Sequence, residues 1–301
     1  MTSDVNQRVL EVRRRARNGA GGILRRAVNL GGFDLLRRNF YSPLPQWEHL
    51  SEETFGRRNP CHGIVWDTEA HASFLKDLAP FLAEFEPPAG FEWDNVMYGA
   101  VESEVLHAMI RRFKPNRIVE LGSGFTSLII AEACRLNASE GRTPNYACFD
   151  PFPRDFVRNG IEGMDSFEPV SAMDVRQEEF DALAEGDILF VDTTHTVKVA
   201  SEVNRLVLEV FPRLAPGVLI HVHDIFLPYE YPREFFQSQC FWQEQYLLQA
   251  LLAENPNFEV LLPLAALSRD NSDLVGTLMP WHQPPFGPGA FWIRRTPPSR
   301  H

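Results

Sequence analysis

Residues 117–133, RIVELGSGFTSLIIAEA, constrain the fold of this chain more than any other stretch. Ile118 and Val119 read as the end of a buried strand, Glu120 to Gly124 as a tight turn, and Phe125 onward as a helix. Glycine lets backbone turn sharply and lets a ligand approach it without a Cβ in the way. A helix that starts at such a turn aims its free N–H groups at whatever lies there. Strand, glycine turn and helix together make a nucleotide-type binding corner, provided further strands follow.

They do follow. Tyr146 to Asp150, Phe167 to Ala172, Asp187 to Asp192 and Gly217 to Val222 read as strands, separated by helical patterns. Ahead of them, Val101, Val105, Leu106 and Met109 mark an amphipathic helix closed by Lys114-Pro115. Val199, Val203, Leu206, Val207 and Val210 predict another helix, and Phe241 to Leu252 a third. Phe258 to Leu262 and Ala290 to Arg294 are expected to close the sheet as an antiparallel pair. The expected fold is α/β: a Rossmann-like, doubly wound, mostly parallel seven-stranded sheet with an antiparallel closing strand. An N-terminal helical and loop cap completes it.

In such sheets ligands bind beyond the C-terminal strand ends. Glu120, Asp150, Asp174, Asp192 and His223-Asp224 all fall there, with His195 just after the fourth strand. Asp150 suits the two hydroxyls of a ribose, and Asp174 suits an adenine amino group. His221 lies two residues before His223 and is read as structural. His62 and His71 have no second ligand at helical spacing and are read the same way.

Three parts are expected: a basic leader at 1–45, a Pro- and aromatic-rich cap at 46–95, and a core at 96–296. Within the core, 264–288 is expected to be a flap. The leader holds nine arginines against three acids up to residue 40, a balance of +6 that leaves −17 for the remainder of a chain of net charge −11. Its glycines interrupt any long amphipathic helix, so a loosely docked, solvated segment is expected. The overall acidity argues against general binding of nucleic acid. No apolar run reaches the roughly 20 residues of a membrane span, and the N-terminus lacks a secretory apolar core. Cys61, Cys134, Cys148 and Cys240 form no paired motif, so reduced thiols and a cytoplasmic location are expected.

The chain resembles a class I S-adenosylmethionine (SAM)-dependent methyltransferase, through VELGSG, CFDPFP, ILFVD and IHVHDIF in that order. Within the class it is similar to methyltransferase family 24, bacterial small-molecule methyltransferases, through EVLHAMIRRFKPNRIVELGSG, GDILFVDTTHTVKVASEVN, PGVLIHVHDIFLPYEYP and FWQEQYLLQALL. The resemblance covers about residues 95–295. It implies that Glu120, Gly122, Ser123 and Gly124 border the cofactor, that Asp150 holds its ribose, that Asp174 lies near adenine, and that Asp192 lies at the same site. Thr126 stands where a third glycine is common, so Thr126 or Ser127 would meet the cofactor carboxylate through a hydroxyl instead.

Methyl transfer to an alcohol needs an in-line approach and a route for the hydroxyl proton. The expected catalytic group is His195, His223 and Asp224, with one histidine as base and Asp224 orienting it. The alternative is a divalent metal on Asp192, His223 and Asp224. His223 stands where related enzymes often carry a carboxylate; its nitrogen suits Zn, Mn or Fe better than Mg. A small-molecule or sugar-containing acceptor and O-methylation are expected, and a homo-oligomer is allowed. Two other functions compete. An NAD(P)-dependent oxidoreductase would share the glycine turn, but Ser127 replaces the last glycine of GxGxxG and Asp150 lies later than the usual offset of roughly 20 residues. A non-catalytic SAM-binding protein would tolerate replacement of His195, His223 and Asp224.

Overall fold

The computed structural model describes residues 28–33, 40–93, 95, 97–279 and 287–297. Chain packing divides it into two units, Met1–Leu50 and Ser51–His301. All nine leader arginines lie outside the described residues. The described part of the first unit ends in a 3-10 turn, Trp47–His49.

The second unit holds a seven-stranded sheet: β1 Arg117–Leu121, β2 Asn145–Phe149, β3 Ser166–Glu168, β4 Ile188–Val191, β5 Leu219–Val222, β6 Phe258–Pro263 and β7 Phe291–Arg295. Their order is β3-β2-β1-β4-β5-β7-β6. β1 to β5 run parallel, and β7 is antiparallel to both β5 and β6. This is the expected Rossmann-like sheet. Strand side chains alternate between faces, and the sequence uses that period. Ile118, Ile188, Phe190 and Leu219 enter one core, with the helices Thr68–Asp77, Ala100–Phe113 and Phe125–Ser139. Val119, Leu121, Leu189, Val191, Ile220 and Val222 enter the other, with Val203 to Phe211 and the helix Glu244–Leu252. Both faces are covered, which is why β4 is apolar without a break.

The cap residues from Ser51 onward belong to the same unit as the sheet. The cap contains two helices, Thr68–Asp77 and Ala79–Leu82, separate because Pro80 opens a new first turn. His71 is buried, and its Nε2 lies 3.2 Å from the Val260 carbonyl, the structural role expected of it.

Three expected elements differ from the structure. β3 stops at Glu168, because Pro169 brings no N–H to the ladder, and a turn carries the chain from Ser171 to Asp174. The helix expected from Val199 starts only at Glu202, and Val199 is 95% exposed. The residues between, Thr193 to Ser201, form a loop over the strand tips and widen there into the site described below. The expected flap is instead a pair of helices, Leu264–Asp270 and Ser272–Leu278, with Leu264, Leu267, Val275 and Met279 inside the first core; only 280–286 lie outside the described residues.

The helix Ala100–Phe113 is buried through most of its length, and it buries Glu104 at 3% exposure with Oε2 unpartnered. Burial lifts this carboxyl from 4.5 to about 7. The folded protein therefore holds a proton there more tightly than the unfolded chain, and stability falls as pH rises from about 4.5 to 7. Glu104→Gln is expected to leave stability unchanged at pH 4 and to raise it by about 1–3 kcal/mol at pH 8. Urea unfolding at the two pH values checks this, and an equal effect at both would contradict it.

Candidate active site

The glycine turn joins β1 to the helix Phe125–Ser139. Gly122 has φ +86°, a left-handed conformation open to glycine, and a Cβ on it would lie 1.8 Å from the Asp192 carbonyl oxygen. The turn thus packs directly on the end of β4. Gly124 is the open member of the pair, with no atom within 4 Å of the place a Cβ would take. Asp150, at the tip of β2, ties the turn in place: its Oδ2 accepts from the Ser123 amide at 2.8 Å and hydroxyl at 2.6 Å, and its Oδ1 accepts from the Phe152 amide at 2.7 Å.

Glu120, expected to border the cofactor, is fully buried. Its carboxylate accepts from the Thr126 hydroxyl at 2.7 Å, from the Ser127 hydroxyl at 2.9 Å and from the Tyr146 hydroxyl. Burial raises its pKa to about 7, against those hydrogen bonds, which lower it. Its position follows from strand parity, because residues 118 and 120 share the face that enters the first core. The Thr126 and Ser127 hydroxyls both donate to Glu120. Asp174 is exposed, in the turn after β3, and its amide donates to the Ser171 carbonyl at 2.8 Å.

The histidines and acids expected to meet at the ends of β4 and β5 do meet. His195 Nε2 lies 3.2 Å from Asp192 Oδ1 and 3.6 Å from Asp224 Oδ2. His223 Nδ1 lies 3.4 Å and 3.5 Å from the same two oxygens. Two imidazoles and two carboxylates therefore alternate around a ring. His195 and His223 are each 4% exposed, and the Asp192 side chain, 30% exposed, is its open edge. Asp192, His195 and His223 bring one donor atom each within 4.8 Å of one another. His195 and Asp224 both have φ +55°, left-handed backbone that His and Asp tolerate better than most residues and that collects at functional sites.

Two further carboxylates back the ring. Glu244, fully buried, sits 2.9 Å from His195 Nδ1. Glu102 Oε1 sits 3.3 Å from His223 Nε2 and accepts from the Gly289 amide at 2.6 Å. The sequence reading missed both. Each sits on the apolar stripe of its helix, Glu102 with Val105, Leu106 and Met109, and Glu244 with Leu248 and Leu252. A carboxylate on a core-facing stripe was the available signal.

The charges reinforce one another. Burial opposes the imidazolium of His195, but Asp192, Glu244 and Asp224 outweigh it and raise its pKa to about 10. His223 is raised in the same way, by Asp224, Asp192 and Glu102. Burial opposes ionisation of Asp192 too, yet the two histidines hold it well below the usual carboxylate range. Burial raises Asp224. His221 stays neutral because burial and the neighbouring His223 both lower it; its ring stacks on Phe190 at 4.2 Å, the structural role expected. Beside the ring, Trp242 lies 4.5 Å from His195 and continues into Phe235 at 4.8 Å.

A family model described as a methyltransferase domain, methyltransferase family 24, matches residues 119–225, from β1 through the ring at the end of β5. A curated relative from Archaeoglobus fulgidus, described as an uncharacterized protein, is 29% identical over 136 residues, 41% of this chain and 61% of that protein. This chain thus spans under two thirds of that relative's length. Among solved structures, cmcI with Mg and SAM shares 17% identity at a TM-score of 0.39, over 72% of this chain and 84% of its own. A Thermobifida fusca protein described as a methyltransferase shares 13% at 0.37, over 79% and 96%. At TM-scores below 0.5 these two likenesses carry no argument about this chain. The family match spans both the glycine turn and the ring, so it is residues 119–225 that match a methyltransferase domain.

Proposed function

We propose that the whole chain is a SAM-dependent O-methyltransferase acting on a small hydroxyl-bearing molecule, sugar-containing metabolites included. One observation carries this reading: Gly122 of the cofactor turn packs directly on Asp192 of the histidine–aspartate ring. The place where a methyl donor binds and the place where a hydroxyl gives up its proton are therefore adjacent strand tips.

The residues present fit the cofactor. Gly124 leaves the space a side chain would fill, and Asp150 stands at the tip of β2, where a carboxylate meets ribose hydroxyls. When bound, SAM supplies an electrophilic methyl group on sulfonium. The chain's own residues do the rest. The turn holds the donor against the tip of β1. An acceptor hydroxyl enters at the open edge of the ring, beside Asp192, and is held in line there. Its proton passes to a ring carboxylate, Asp224, whose pKa burial raises, because both imidazoles already carry positive charge that two buried glutamates stabilise. A free neutral histidine as sole base does not suit this ring, because every carboxylate around it favours the imidazolium. Trp242 and Phe235 offer an apolar wall for a ring-bearing acceptor.

A small-molecule acceptor and a cytoplasmic location complete the reading. All four cysteines are free, which suits a reducing compartment, and no described helix is long and apolar enough to cross a membrane.

Calorimetric titration of SAM and of NADH into the purified chain tests the cofactor. Heat with SAM and none with NADH is expected. Binding of NADH without SAM would move the protein to the oxidoreductases.

A further inference from the structure

We propose that the cavity beside the loop that follows β5 is a recognition subsite for a carboxylate carried on a single ring, with Arg269 as its anion receptor and Phe226, Tyr229 and Tyr231 as its walls. That this carboxylate belongs to the methyl acceptor rests on the function proposed above; the cavity's preference for it does not.

The cavity adjoins the histidine–aspartate ring. It holds about 230 Å³, and Phe55, Phe226, Tyr229 and Tyr231 are its aromatic lining. Drug-sized sites run to about 300–1,000 Å³, so this one takes a ring with its headgroup rather than a whole metabolite. Phe226 is the wall nearest the catalytic groups. A Cβ on Gly289 would lie 2.9 Å from Asp224 Cα and 3.1 Å from Phe226 Cζ, so one glycine stands between that phenyl and the aspartate. Phe226 also meets Phe235 at 5.6 Å, Phe235 meets Trp242 at 4.8 Å, and Trp242 meets His195 at 4.5 Å. One aromatic surface thus runs from the imidazole to the cavity. An acceptor laid along it has its hydroxyl at one end and its tail at the other.

Charge decides what the tail carries. Glu230, Arg233, Glu234 and Arg269 line the cavity. Glu230 Oε1 accepts from the Tyr231 amide at 2.9 Å and from the Tyr246 hydroxyl at 2.5 Å, and Arg233 pairs with Glu52. Glu234 is exposed. Arg269 differs from the other cation. Its guanidinium lies over the Tyr229 ring, 3.8 Å from the centre, and among the described residues it makes no ion pair and no side-chain hydrogen bond. Asp270, its neighbour in sequence, is held instead by Arg58 at 3.5 Å and by the Tyr229 hydroxyl, which donates to it. Tyr229 therefore takes one face of the guanidinium and none of its N–H donors. That free fork fits the two oxygens of a carboxylate side by side, and a neutral amide lacks the charge to match it. A ligand cation fares worse. The Tyr229 and Phe55 rings already carry the guanidiniums of Arg269 and Arg233, the latter at 6.0 Å, so a second positive charge is repelled from both.

Benzoate, phenylacetate and 3-phenylpropanoate, each against its amide, are titrated into the full chain, with binding followed by ligand-observed NMR. At least one acid is expected to bind about tenfold or more tightly than its amide. Arg269→Gln is expected to weaken that acid by about tenfold and to leave the amide unchanged, which erases the preference. Arg233→Gln is expected to have a smaller effect, because Arg233 is already paired. Thermal melting reports whether the variants fold, and the wild-type comparison of acid with amide stands whether or not they do. No acid tighter than its amide, or a folded Arg269→Gln protein that keeps the preference, would overturn the proposal. A larger loss in Arg233→Gln than in Arg269→Gln would overturn it as well. SAM calorimetry on the same protein separates the two readings: SAM heat with no preference for the acid removes only the subsite, and a preference for the acid without SAM heat removes only the methyltransferase.

Discussion

Gly122→Ala is expected to destabilise the protein by about 3–5 kcal/mol and to abolish measurable SAM binding. Two effects add. The left-handed φ of +86° strains any residue with a Cβ, and that Cβ would stand 1.8 Å from the carbonyl oxygen of Asp192. The obstacle is backbone, at a point where the Asp192 amide also donates to Leu121 at 2.9 Å, so neither chain gives way cheaply. Relief requires that the β1 tip and the β4 tip separate, which moves the cofactor turn and the ring together. Gly124→Ala is the companion experiment. Nothing lies within 4 Å of its new Cβ, so the fold is expected to persist while SAM affinity falls by tenfold or more, since the proposed function puts the cofactor in that open space. Urea unfolding and SAM calorimetry on both variants check the pair. A Gly122→Ala protein that unfolds like the wild type would contradict this account of the turn.

Asp192→Asn is expected to lower the rate of methyl transfer by about 10²–10⁴-fold, with the loss in kcat and a smaller change in SAM affinity. Asp192 Oδ1 is the nearer of the two carboxylate oxygens that both histidines share, 3.2 Å from His195 and 3.4 Å from His223. Asparagine keeps the shape and removes the charge, so the ring loses one of its two anionic corners. Stability of the metal-free protein carries a second signature. The pKa of His195 rises from 6.5 to about 10 on folding, so its pairing stabilises the protein in full below about pH 6.5 and is lost as pH rises through about 10. The stability gap between wild type and Asp192→Asn is therefore expected to be wide at pH 6 and to close by about pH 10. Single-turnover rates and pH-resolved unfolding measure the two effects separately. A gap that stays constant over that range would mean that Asp192 does not hold the imidazolium.

Much of the chain was legible because parallel sheets write themselves plainly. β2, β4 and β5 are short, largely apolar runs, each followed by a polar residue at its C-terminal end, and the glycine turn follows β1. That pattern fixed the fold and brought Asp192, His195, His223 and Asp224 to one site, since the tips of adjacent parallel strands are neighbours whatever lies between them in sequence.

Tertiary structure decided what depends on which face a residue takes and what packs there. Glu120 falls at a strand tip by position, yet parity turns it into the first core, where Tyr146 from β2 and the hydroxyls of Thr126 and Ser127 absorb it. Residues 264–279 fold as helices because Leu264, Leu267, Val275 and Met279 find an apolar surface to cover, which their own composition does not announce. Glu102 and Glu244 are 121 and 49 residues from the histidines they face. Strand period and turn chemistry are local and can be read along the chain. The burial of a charge against a distant partner is settled only when helices dock on the sheet, and the two glutamates that orient the ring are products of that docking.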